Sequence, residues 1–309
     1  MMRSHWAEQR ERGNLRVLKL TAWLVRYCPM WLMKGVTFCV VGYFYLTSFS
    51  ARRNIARYQQ RLRNTFPAVP SMTVFAQFMA FGEALVDRFA VWQNKLIYRD
   101  VVIENYDGLF NELRQPRKCG QILLCSHFGN VEICRAFANK HPYFKLNVLV
   151  HSRHAEAFNQ ALQQAGAEKL NLIQVTDLNV DLMLELQQRL SCGEWIAIAA
   201  DRIPVYGSKT EKVNFLGALA EFPQGAWLLA ALLNAPLNTL FCVKRHGRYY
   251  VKLQRFLPEI AGKRTVRQQA ISQAVQKYAD LLAQECANSP LLWFNFYDFW
   301  QDDKFSAKK

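Results

Sequence analysis

Gln121-Ile122-Leu123-Leu124-Cys125-Ser126-His127-Phe128-Gly129-Asn130-Val131-Glu132 reads as a short apolar strand that stops at a turn and enters a helix. Four successive apolar residues without polar alternation suit a strand covered on both faces, as strands inside parallel sheets are. Gly129 and Asn130 supply turn and cap chemistry for a helix expected over residues 131–139. His127 then stands at the carboxyl end of the strand, where open α/β sheets collect reactive groups. Glu132 falls in the first turn of the helix. On one continuous helix the two would be roughly 140° apart, so the strand-to-helix corner is what would bring them together. A carboxylate on one imidazole nitrogen fixes the tautomer and leaves the other nitrogen free as a base. The helix N-terminus adds backbone N–H groups that suit an oxyanion.

The same alternation continues outward. Further strands are expected at 146–151, 171–175, 194–200, 238–244 and 249–256, with helices at 155–165, 178–190 and 224–233 and a last amphipathic helix at 265–288. Strand and helix in turn imply an α/β fold: a largely parallel sheet flanked by helices, with ligands at the carboxyl ends of the strands. Asp201-Arg202 follows the strand at 194–200 and opens onto the same sheet edge as His127. Arg202 suits a phosphate or a carbonyl oxyanion.

Upstream the chemistry changes. Residues 1–70 hold twelve Lys/Arg and two acids, a net +10 of the whole chain's +15. This basic flank surrounds an apolar run, residues 30–49, interrupted only by Lys34. Twenty helical residues rise about 30 Å, a bilayer core's thickness. Aromatics stand at both ends: Trp23, Tyr27 and Trp31, then Tyr43, Phe44, Tyr45 and Phe49. The alternative is a buried core helix, since Gly35, Thr37, Gly42 and Thr47 dilute the run. Residues 51–64 carry five arginines and no acid, suited to anionic lipid, and residues 71–98 read as a further helix with an aromatic stripe. Two parts follow: a basic, membrane-associated helical segment over 1–70 and a catalytic domain over 71–309. The apolar run starts too late for a cleavable signal peptide, and we expect it to be retained.

Several chemistries find no support. No nucleic-acid module accompanies the basic residues. The eight cysteines form no C-x-x-C pair and read as reduced thiols facing a cytoplasm. His151 and His154 lack a further ligand, so no metal is expected. There is no G-x-S-x-G elbow, P-loop or G-x-G-x-x-G.

The stretch Cys125-Ser126-His127-Phe128-Gly129-Asn130-Val131-Glu132 matches the H-x-x-x-x-D/E hallmark of the lysophospholipid acyltransferase superfamily. The chain resembles its lipid A late-acyltransferase family, the lauroyl and myristoyl transferases, over roughly residues 15–300. The likeness takes in the N-terminal apolar segment, R-R-N-I-A-R and N-T-F-P within 52–67, V-L-V-H-S-R-H at 148–154, I-A-A-D-R-I-P-V-Y-G at 198–207 and N-F-L-G at 214–217. The resemblance implies transfer of a fatty acyl group from acyl carrier protein, or acyl-CoA, to a hydroxyl of a membrane lipid or glycolipid. It places the enzyme at the inner face of a bacterial inner membrane, without metal or redox cofactor. It implies His127 and Glu132 as catalytic residues, and Asn130, Arg153, Asp201 and Arg202 as substrate-binding. The family usually ends in an arginine-rich run after Pro-x-x-x-Trp, whereas here Trp293 is followed by Phe-Asn-Phe-Tyr-Asp-Phe-Trp. That tail is similar to acyltransferases of other bacterial lipid conjugates, aryl-polyene lipids among them, and either suits a less anionic acceptor or packs the last helix onto the sheet. A thioesterase or lipase using the same histidine, and a non-catalytic basic membrane binder, are the alternatives.

Overall fold

The computed structural model describes residues 23–93, 95, 101–113, 115, 119–134, 143–150, 171–174, 179–203 and 209–300. Seven strands form one mixed sheet: β1 (Val101–Glu104), β2 (Ile122–Cys125), β3 (Leu146–Val150), β4 (Asn171–Gln174), β5 (Trp195–Ala199), β8 (Leu237–Arg245) and β9 (Arg248–Leu257). They run in the order β1-β9-β8-β2-β5-β3-β4. Only β8 and β9 pair antiparallel; the other neighbours are parallel. The expected α/β architecture, a largely parallel sheet flanked by helices, is the one observed.

The central strand shows why its sequence has no alternation. Every residue of β2 is buried, with Ile122 and Leu124 in the core on one face and Leu123 and Cys125 in the core on the other. The first face is closed by α5 (Gly225–Leu233) and α6 (Arg264–Asn288). Helix α6 inserts Ile271, Val275, Tyr278 and Leu282, an i, i+4, i+7, i+11 stripe, into that core. Helix α4 (Val180–Ser191) starts at an Asn179 cap that accepts from Leu182 N at 2.8 Å.

Two features depart from expectation. The first is a second sheet, the antiparallel pair β6 (Thr210–Phe215) and β7 (Ala218–Pro223), whose turn takes positive φ at both Leu216 (52°) and Gly217 (76°). Two such residues give the twist a tight hairpin needs, but Leu-Gly is not a usual carrier of it. The second lies in the apolar N-terminal run. Helix α1 (Met30–Thr47) ends two residues early, and α2 (Phe49–Thr65) leaves it at 94°. Among the described residues no single helix is long and apolar enough to cross a membrane, although this bent pair together has the length and composition to do so.

Helix α2 is knit into the main core through Tyr58 and Leu62, and its Tyr58 hydroxyl donates to Pro290 O at 2.9 Å. Helix α3 (Val74–Trp92) crosses α1 at Gly82, where a Cβ would come within 2.7 Å of Val41 and 2.9 Å of Thr37. The helix expected over 131–139 is a 3-10 turn at Val131–Cys134, and the rest of that span lies outside the described residues, as does the helix expected at 155–165.

Candidate active site

Strands β2 and β5 lie side by side in register, Cys125 opposite Ala199, so the residues two beyond each strand end share one rim. These are His127 and Asp201. The imidazole Nδ1 lies 2.8 Å from Asp201 Oδ1, and the His127 main-chain N–H donates to Oδ2 at 2.9 Å. Asn295 Nδ2 donates to the same Oδ2 at 2.9 Å, and Trp293 Nε1 approaches it at 3.4 Å. The Asp201 side chain is fully buried, while that of His127 is 35% exposed. Four donors thus surround a buried carboxylate and one imidazole edge faces out.

Burial alone would raise the Asp201 carboxyl, but the charge and hydrogen bond of His127, with help from Arg202, hold it down at about 2. An ionised Asp201 has only acceptors, so Nδ1 carries the proton and Nε2 is left with its lone pair. The His127 imidazole is itself pushed below its ordinary value, first by burial and then by the Arg202 charge, against the pull of Asp201. It therefore rests neutral, as a base must.

The turn holding this dyad depends on Gly129. Its φ is +68°, and a Cβ there would lie 1.8 Å from Cys242 O, because the backbone presses against β8 to let Asn130 N donate to that carbonyl at 3.0 Å. Across the turn, the C-terminal tail pairs with it like a short strand: Gly129 N donates to Leu292 O, and Phe294 N to His127 O, both at 2.8 Å.

A family model described as bacterial lipid A biosynthesis acyltransferase matches residues 20–302. The chain belongs to this family. The lipid A biosynthesis acyltransferases catalyse acyl transfer, and their name indicates a lipid acceptor. No curated protein matches the chain.

Within this family member, the expected site residues separate into three groups. His127, Asp201 and Arg202 come together at the rim. Arg202, expected to suit a phosphate or an oxyanion, donates from Nε to Asn295 Oδ1 at 2.6 Å and from Nη2 to Phe294 O at 2.8 Å. Asn130 is buried, its amide donating to Ala84 O at 3.2 Å, so it braces the turn against α3. Glu132 was the expected partner of the imidazole; the carboxylate against Nδ1 is that of Asp201, and Glu132 accepts from the Trp92 indole at 3.1 Å. Arg153, His151 and His154 lie outside the described residues. Among the described residues no cluster of His, Cys, Asp and Glu could hold a metal.

The aromatic tail, which its sequence leaves open to acceptor surface or to packing, contributes mostly scaffold. Trp293, Phe294, Phe299 and Trp300 are buried, and Phe215 packs against Trp293, Phe299 and Trp300. Asn295 is the tail residue that sequence reasoning missed. It bonds both Asp201 and Arg202, and its only signal was being a lone amide among aromatics.

Proposed function

We propose that this chain is an O-acyltransferase that moves a fatty acyl group from a carrier thioester, acyl carrier protein or coenzyme A, to a hydroxyl of a membrane lipid or glycolipid. The observation carrying this reading is the half-exposed His127 hydrogen-bonded to a buried, ionised Asp201 in a chain of the acyltransferase family. In the proposed reaction Nε2 of His127 takes the acceptor's hydroxyl proton as the oxygen attacks the thioester carbonyl carbon. The tetrahedral intermediate expels the carrier sulfur, which receives the proton from the imidazolium, leaving an ester and a free thiol. Asp201 keeps the ring in the productive tautomer and stabilises the imidazolium. Glu132 anchors α3 through the Trp92 indole.

Membrane contact is assigned to the outer face of α1. Trp31, Phe38 and Leu46 are 74%, 57% and 66% exposed, and they stand opposite Met33, Thr37 and Val41, which are buried. The bend into arginine-rich α2 suits insertion of this face from one side of a bilayer, with Arg52 and Arg53 at the headgroups.

The test is product analysis by mass spectrometry on purified protein given acyl carrier protein or coenzyme A thioesters and a panel of hydroxyl-bearing amphiphiles, lipid A precursor included. An acceptor heavier by one acyl group supports the proposal. Free fatty acid with no acylated lipid would assign a thioesterase.

A further inference from the structure

Helix α3 carries Ala84, Arg88 and Trp92 four residues apart, on one face. The residues on either side of Arg88 along that face both touch the site turn: the Ala84 carbonyl takes the Asn130 amide and the Trp92 indole reaches Glu132. Arg88 sits between these two contacts. Burial disfavours its charge and the Glu132 carboxylate offsets that in part, while Asp87 Oδ2 accepts from Lys244 Nζ at 2.6 Å and from the Tyr249 hydroxyl at 2.5 Å. Arg88 Nε is buried with no hydrogen-bond partner among the described residues. A buried donor left unmatched costs about 1–3 kcal/mol, and each such group calls for a physical explanation. Arg202 is the contrasting case, its Nε and Nη2 spent on the tail.

We propose that Arg88 is a catalytic residue of this site, its guanidinium donating to the thioester carbonyl oxygen as that oxygen takes on negative charge in the tetrahedral intermediate. The inference rests on the acyl-transfer reading above. The C=O π pair moves to oxygen when the acceptor oxygen bonds to carbon, and it returns when the C–S bond breaks; the guanidinium stays charged throughout. Arg88 is near enough to His127 to oppose its protonation in the resting site. An oxyanion forming beside Arg88 would offset that positive field at the moment the imidazole accepts its proton, coupling the two events.

The experiment compares Arg88→Met, Arg88→Lys and His127→Ala with the wild type, full-length in detergent micelles, using an acyl-CoA donor and a hydroxyl amphiphile that the wild type acylates. We expect Arg88→Met to lower kcat by roughly 10²–10³-fold, the cost of one oxyanion donor, with donor KM little changed. Its Tm should hold or rise, since a methionine removes an unmatched buried group. Arg88→Lys should recover part of the rate, keeping the charge but not the planar fork. Near-wild-type kcat in Arg88→Met would overturn the assignment. So would a rise in KM alone, or a loss of rate matched by a fall in Tm. Wild-type transfer lost in His127→Ala but kept in Arg88→Met sinks only the Arg88 role, whereas absence of transfer by the wild type sinks the reading beneath it.

Discussion

The His127 imidazole sits between a carboxylate that favours its charged form and cations that oppose it, and burial tips the balance toward the neutral ring. Activity that needs neutral His127 is lost as pH falls through its folded-state pKa, so the acid limb of kcat/KM should lie below pH ~6.5, the ordinary imidazole value. Arg202→Gln removes a depressing charge and should move that limb up; Asp201→Asn removes the opposing pull and should move it down. Limbs that shift together, or not at all, in the two pH–rate profiles would contradict this arrangement. Gly129 makes a second claim at this scale. Gly129→Ala forces a positive φ on alanine and a Cβ against Cys242 O, so thermal unfolding should show a loss of at least ~2 kcal/mol. His127 was legible because a histidine directly after an all-apolar strand is visible in one dimension. Asp201 could be placed on the same sheet edge, but its pairing with the imidazole could not. Sequence proximity favoured Glu132, five residues away, whereas Asp201 is brought in by the β2–β5 register, which local spacing does not encode.

Among the elements, helices with strong periodicity and strands with unbroken apolar runs could be read within a few residues, as β2, β8, α4 and α6 show. The hairpin β6–β7 was hidden because Leu216-Gly217 lacks the usual turn chemistry, and its Cys-free, mixed-polarity strands alternate only in part. The run at 30–49 reads by length as a membrane-associated helix, with spanning and monotopic attachment both open; what length alone does not reveal is the break at Ser48 and the 94° turn that follows. The consequence is specific. Replacing Trp31 and Leu46 together by serine removes exposed apolar surface worth about 1.5–3 kcal/mol per side chain if buried in lipid, and spares Phe38, whose ring packs on Phe75 of α3. Sedimentation with anionic vesicles should fall roughly tenfold or more, each 1.4 kcal/mol being a factor of ten, while the fold survives. The wild type should remain vesicle-bound in high salt, because apolar burial is not screened. Release of the wild type by salt alone would show that arginine charge, not the α1 face, holds it there.

At the scale of the molecule, helix α2 and the tail at 290–298 meet beside the site. Helix α2 and the tail are joined by Asn54 donating to Phe296 O at 3.0 Å, by the 2.7 Å Arg57–Asp298 ion pair and by Tyr58 packed on Trp293. The tail in turn supplies Asn295 and Trp293 to Asp201. The basic segment and the C-terminal aromatics therefore act as one brace beneath the dyad, which explains why the tail's composition says more about packing than about the acceptor. Trp293 and Tyr58 are far apart in sequence, and aromatic content alone does not distinguish a brace from a binding surface. The account's central claim is that this braced His127 removes the acceptor's proton during acyl transfer. Its most direct test is the rate of acyl transfer to lipid by His127→Ala, measured on protein whose thermal unfolding matches the wild type. The account predicts a fall of roughly 10²–10⁴-fold; transfer at near-wild-type rate by the folded variant would contradict it.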